Sequence, residues 1–261
     1  MNAATPAAPL RRILVRFVPP LVLMAVALGV LATGSNARLF LSVHRALLPL
    51  GSAFWSGVTL LGDALVAPLL LLPFLRRKPS LLWAGTLAAV LATLFTHVLK
   101  ALVGMPRPAA LLDIQVFGPR LLAGSFPSGH TATAFTVLAL LLLAGQLPGA
   151  GRLLPALLLA CLVGLSRIAV GAHWPADVLA GAAGGWLSAV LALALAARWP
   201  QGGRGRMMLA QYALLGGLAV VDLFGHDTGY ADGILLQRVL GGAALVWMIW
   251  TWSRADTRPA R

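Results

Sequence analysis

The 261-residue chain predicts an all-α fold, a polytopic bundle of about eight transmembrane helices. Two observations carry this. The chain is 59% hydrophobic and only 10% charged, with mean hydropathy +0.88, whereas soluble domains are roughly a quarter charged. Its apolar residues also fall into runs, several reaching the ~20 residues that an α-helix needs to cross the hydrocarbon core, and short segments between them hold most of the charge.

The elements follow in chain order. Arg11, Arg12 and Arg16 precede an apolar run over 18–33. The small-residue cleavage pattern of a secretory signal is weak there and further spans follow, so the run is read as a retained first helix. Residues 34–50 form a polar connection with a short interfacial helix over 39–48, stopped by Pro49. A second run, 55–75, contains Asp63 and ends at Arg76, Arg77 and Lys78; a third, 80–99, ends at His97 and Lys100. The longest loop, 101–129, holds Pro106, Pro108, Pro119 and Pro127, which exclude a continuous helix. Runs at 131–147, 153–170 and 178–197 predict helices four to six. A basic, glycine-rich link (Arg198 to Arg206) leads to two more, 207–223 and 234–252, around a polar loop with His226, Asp227 and Asp232.

The formal charge of +13 sits between apolar runs rather than along one soluble face. That pattern fits membrane topology and anionic headgroups and excludes a nucleic-acid footprint. The seven acidic residues are all Asp and scattered, and the one cysteine, Cys161, lies inside an apolar run, so neighbouring positions assemble no metal site. With the N-terminus in the cytoplasm, most Arg and Lys fall on the inner side, and loops 101–129 and 171–177 come out on the same external face. Trp55, Trp174, Trp199 and Trp252, near run ends, read as interfacial anchors, and His44 and His226 as structural.

Three polar clusters stand out in this charge-poor chain: Lys100 to Pro108, Pro127 to His130, and Ser166 to Asp177. Cleaving a phosphate ester without a metal needs fixed cations or N–H donors around the phosphoryl oxygens, an in-line nucleophile, and an acid for the leaving oxygen. Lys100, Arg107 and Arg167 supply cations, and arginine has a fork matched to phosphate oxygens. Ser128 and Gly129 open a helix whose N-terminus favours an anion. His130 and His173 exchange protons near neutral pH. Asp177, four residues after His173, reaches back to fix its tautomer and leave Nε2 free to attack phosphorus. This assigns His173 as nucleophile, Asp177 as its orienter and His130 as general acid. Asp63, an ionisable group in an apolar run, is a candidate accessory residue that would pair with a site cation; His97 reads as packing or interfacial.

Lys100 with six residues before Arg107-Pro108, then Pro127-Ser128-Gly129-His130, then Ser166-Arg167 with five residues to His173 and three to Asp177, resemble the type 2 phosphatidic acid phosphatase (PAP2) superfamily. The resemblance implies a six-helix core over spans one to six; the last two spans, 207–252, depart from that pattern, and the chain is divided as a 1–200 phosphatase core and a 201–261 helix pair with a basic tail. The resemblance also implies metal-independent, cofactor-free phosphoryl transfer through a phosphohistidine, on a lipid phosphate held in the bilayer. The expected setting is a bacterial cytoplasmic (inner) membrane, with the site facing the periplasm or exterior. Undecaprenyl diphosphate is the preferred substrate, ahead of phosphatidylglycerophosphate, phosphatidic acid and lipid A. The acceptor is not encoded in the motifs, so a lipid phosphotransferase remains a rival. A non-catalytic binder or transporter of lipid phosphates would have no need of the intact nucleophile, orienter and acid.

Overall fold

The computed structural model describes residues 7–75 and 78–253, and these are all-helical, with no strand among them. Six helical segments are long and apolar enough to cross a membrane: Leu10–Ala32, Ser80–Leu111, Ala150–Ala169, Pro175–Arg198, Gly205–Phe224 and Ala231–Ser253. The expected count of eight is corrected at two places. The fourth run forms a shorter apolar helix, Gly129–Leu143, because Gly145 turns the chain with φ +75°. The second run breaks into a helix Gly51–Leu60, a 3-10 turn Ala67–Leu71 and a last turn Leu72–Leu75, with Pro68 and Pro73 withdrawing N–H donors from any continuous helix. Arg76, Arg77 and Arg254 to Arg261, placed on the inner side from the sequence, lie outside the described residues.

The helices are α1 (Ala7–Ala32), α2 (Asn36–Leu47), α3 (Gly51–Leu60), α4 (Leu72–Leu75), α5 (Ser80–Val103), α6 (Pro108–Leu111), α7 (Gly129–Leu143), α8 (Ala150–Ala169), α9 (Pro175–Arg198), α10 (Gly205–Phe224) and α11 (Ile234–Ser253). The short helix expected near 39–48 is α2, followed by a 3-10 turn at Pro49. Apolar side chains on the outer faces, such as Leu21, Leu94 and Leu158, are exposed, as they are where the surrounding solvent is hydrocarbon.

Helix α9 forms the centre, packed against α1, α5 and α7. Its apolar window is 56% buried, against 11% for α1. Small residues make this possible by letting backbones approach without side chains between them. A Cβ at Gly181 would lie 2.4 Å from Ser128 O, and one at Gly185 would lie 2.0 Å from Ala132 O. Thr136 Oγ1 donates to Gly185 O across the same seam at 2.9 Å. Replacing Gly185 by valine therefore overpacks the α7–α9 contact and is expected to cost about 1–3 kcal/mol, read as a lowered melting temperature in detergent. This seam delivers the N-terminal ends of α7 and α9 side by side.

Trp55 and Trp174 are not interfacial anchors. They are only 2% and 4% exposed, and their indoles donate to Leu47 O and Pro106 O at 2.8 Å each. A buried indole needs such a partner. Trp199 and Trp252 are exposed, as expected.

Candidate active site

The sequence from Ser166 onward folds as the end of one helix and the start of the next. After α8 stops at Ala169, Gly171 turns the chain at φ +78°, and the amide of His173 donates back to Arg167 O at 3.1 Å. Pro175 then starts α9, with Asp177 in its first turn. Proline suits that position because its missing N–H would have had no helical partner. Asp177 Oδ2 accepts the Trp174 amide at 2.9 Å and lies 3.4 Å from His173 Nδ1. The carboxylate that caps the helix thus also addresses the imidazole. The same oxygen accepts the Ser125 hydroxyl at 2.5 Å. With Nδ1–H directed at Asp177, the lone pair of Nε2 faces the other way, 3.4 Å from Arg107 Nη1.

Arg107 is buried and held almost entirely by carbonyls. Nε donates to Ala123 O at 2.9 Å, Nη2 to Gly124 O at 3.3 Å and Nη1 to Ala172 O at 3.1 Å. Lys100 Nζ donates to the same Gly124 O at 3.0 Å. Arg167, 3% exposed, donates from Nη1 to Thr59 Oγ1 and to Tyr230 OH, the latter at 2.8 Å. Among the described residues, the contacts between a carboxylate and a basic side chain are His173 with Asp177 and His226 with Asp63, and none involves a lysine or arginine. Three cations therefore gather around His173 with dipoles for partners and one carboxylate nearby, an excess of positive charge that an anion would neutralise.

His173 is fully buried. Desolvation, reinforced by the charges of Arg167, Arg107 and Lys100, holds it well below its ordinary pKa of 6.5. The imidazole is accordingly neutral at pH 7, the form a nucleophile requires.

Ser128 caps α7: Oγ accepts the Thr131 amide at 3.4 Å and the Thr131 hydroxyl at 2.9 Å. The first amides of the helix, Gly129 and His130, have no acceptor within it. A Cβ at Gly129 would meet nothing within 4 Å, so the space beside that residue is open. The charges of Arg167, Lys100 and Arg107 all act on His130. His130 also borders an apolar cavity of about 360 Å³, lined by Thr93 and His97 of α5 and by Leu214 and Leu218 of α10. Val90 and Leu214, both more than half exposed, edge this cavity and open it to the lipid-facing surface. Asp63 pairs not with a site cation but with His226 Nε2, at 3.2 Å, and accepts the Leu65 amide at 2.8 Å.

A family model described as the PAP2 superfamily matches residues 81–200. The crystal structure of Aquifex aeolicus LpxE superposes with TM-score 0.55 at 34% identity, covering 61% of this chain and 94% of that one. The chain belongs to the PAP2 superfamily. Curated relatives include lipid A 1-phosphatases of Rhizobium etli, 34% identical over 143 residues, and Rhizobium johnstonii, 32% identical over 143 residues. These matches take in 48% of this chain, which spans 58% and 55% of the two relatives' lengths.

The eight catalytic and phosphate-binding candidates named from the sequence sit on four elements, α5, α7, α8 and α9, and on the segments joining them. Ser125, Thr59 and Tyr230 were not singled out in the sequence. Ser125 sits two residues before Pro127, close enough to have drawn attention. Thr59 and Tyr230 reach Arg167 from 108 and 63 residues away, and no spacing pattern announces them.

Proposed function

We propose that this protein hydrolyses the terminal phosphate of a membrane lipid through a phosphohistidine on His173. The observation that carries the reading is the neutral, oriented His173 set among three cations that lack acidic partners. The phosphate displaces no salt bridge on entering. Lys100, Arg107 and Arg167, with the amides at the start of α7, bind its oxygens. Nε2 of His173 attacks phosphorus while His130, protonated once the phosphate's negative charge offsets the surrounding cations, gives that proton to the departing lipid oxygen. His130, now neutral, takes a proton from water as that water cleaves the P–N bond, releasing inorganic phosphate and restoring neutral His173 and protonated His130. The negative charge of the phosphoryl oxygens in the transition state is met by Lys100, Arg107 and Arg167, so EDTA is expected to leave turnover unchanged.

The apolar cavity beside His130 supports an amphiphilic substrate whose chain stays among α5, α7 and α10 while its headgroup enters the cation cluster. Its volume lies within the ordinary range of small-molecule sites. We take lipid A phosphorylated at its 1 position, the substrate in the Rhizobium relatives' names, as the first candidate. Undecaprenyl diphosphate, favoured from the sequence, stands second, its single long chain suiting one apolar trough. The periplasmic face of a bacterial inner membrane is the setting for either. Residues 1–200 would form the catalytic core, with 201–261 as the added helix pair.

The test is phosphate release by the purified chain in detergent with EDTA, from lipid A, undecaprenyl diphosphate, phosphatidic acid and phosphatidylglycerophosphate. One lipid is expected to exceed the rest by at least about tenfold in kcat/KM. Transfer of labelled phosphate to an added lipid instead of water would replace hydrolase by phosphotransferase. Absence of release from every lipid by folded protein would sink the catalytic reading.

A further inference from the structure

The last two helices, α10 and α11, follow the 81–200 family match, yet the loop joining them returns to the centre of the site. Tyr230, on that loop, is 5% exposed. Its hydroxyl oxygen accepts from Arg167 Nη1 at 2.8 Å, and its ring centroid lies 5.7 Å from the guanidinium carbon. The loop is fixed on several sides. His226 pairs with Asp63, and Gln237 Nε2 donates to His226 O at 2.7 Å and to Asp222 O at 3.1 Å. Gly118, at φ +80°, lies so close to the Tyr230 ring that a Cβ there would come within 2.5 Å of it.

Arg167 has five N–H groups. The two on Nη1 are taken, one by Thr59 Oγ1 and one by Tyr230 OH. Nε is buried without a partner among the described residues. A buried, unpaired donor is costly in an empty protein and is expected to find an acceptor. Nε and Nη2 together form the side-on fork of a guanidinium, which matches two oxygens of one phosphate.

We propose that Tyr230, with Thr59, locks Nη1 of Arg167 so that the Nε/Nη2 fork is presented to the substrate phosphate. The C-terminal hairpin is thereby a working part of the phosphate site. Tyr230 is a positioning residue: it acts through Arg167 and takes no part in bond making. This inference rests on the phosphatase reading above, because it gives the fork its ligand.

The test uses the full chain in detergent with Tyr230→Phe and Thr59→Val, which keep the ring and the β-branched shape. Two quantities are read: kcat/KM for the best lipid of the panel, and the Kd for orthovanadate, a stand-in for the phosphoryl group, by thermal shift. Loss of a hydrogen bond that orients a charged group is expected to lower kcat/KM by about 10- to 100-fold and to weaken orthovanadate by about 10-fold or more. The ligand-free melting temperature should stay within a few degrees of wild type. A merely structural tyrosine would move the melting temperature and leave both functional readings in place. Wild-type kcat/KM and orthovanadate Kd, within twofold, in both variants would overturn the lock. If the wild type releases no phosphate from any lipid, the phosphatase reading fails separately. The orthovanadate arm then still decides, with weakening in the variants supporting the lock and unchanged binding rejecting it.

Discussion

Replacing His173 by alanine is expected to reduce phosphate release by about 10⁴-fold or more, the scale on which loss of a covalent nucleophile is felt. No neighbouring group can substitute. His130 is committed to the leaving oxygen, and the cations carry no lone pair for attack. Protein folding should survive, because alanine keeps the backbone bond to Arg167 O, and Asp177 keeps the Trp174 amide and Ser125 hydroxyl when the imidazole is lost. The measurement is kcat at saturating lipid, with the melting temperature as a control for folding. Retention of more than about a tenth of the wild-type rate would remove His173 from the chemistry. The wild-type pH profile offers an independent check. Burial and the three cations lower the His173 pKa, so the neutral, reactive form persists below the usual 6.5. The acid limb of kcat/KM, which reports the free enzyme, should therefore lie below pH 6.5. A limb at or above that value would contradict the assignment.

Asp177→Asn is expected to lower kcat by about 10³- to 10⁴-fold, as removal of the orienting carboxylate does in hydrolytic triads. Asp177 Oδ2 receives the Trp174 amide, the Ser125 hydroxyl and the Nδ1 side of His173. An asparagine with its carbonyl in that place keeps the helix cap and loses the charge. The imidazolium-like character that develops as Nε2 bonds to phosphorus then has no counter-charge. The melting temperature should change little, and the loss should appear in kcat more than in KM. Ser125→Ala removes one donor and leaves the carboxylate, so its effect should be far smaller. A rate in Asp177→Asn within tenfold of wild type would mean that tautomer control comes from elsewhere.

Much of the membrane architecture was legible because hydrocarbon imposes a simple rule: a spanning segment must be apolar, helical and long. Runs such as 80–99 and 178–197 obeyed it. The run 55–75 did not become one helix, since Pro68 and Pro73 interrupt backbone bonding in a way that mean apolarity hides. Trp55 and Trp174 misled because position near a run end does not distinguish a residue in the interface from one turned into the protein. The cluster residues could be read from chemistry, as charges in an apolar chain need a reason to be there. Lys100, Arg107 and Arg167 are of this kind. Thr59 and Tyr230 carry no charge, and their importance comes from what lies opposite them in space. Asp63 was conspicuous for the same reason as the cations, yet its partner, His226, lies 163 residues away.

Asp177 also has a backbone carbonyl, and it accepts the amide of Ser128 at 3.0 Å. Its side chain holds Ser125 and Trp174. One residue therefore ties the cap of α7, the cap of α9 and the segment leading into α7. Local openings in proteins occur in cooperative blocks rather than bond by bond. Here the block boundaries cannot fall between the second and third polar clusters: fraying of either helix end releases the other. The free amides at the start of α7 and the imidazole at the start of α9 are therefore expected to open together, as a single cooperative unit.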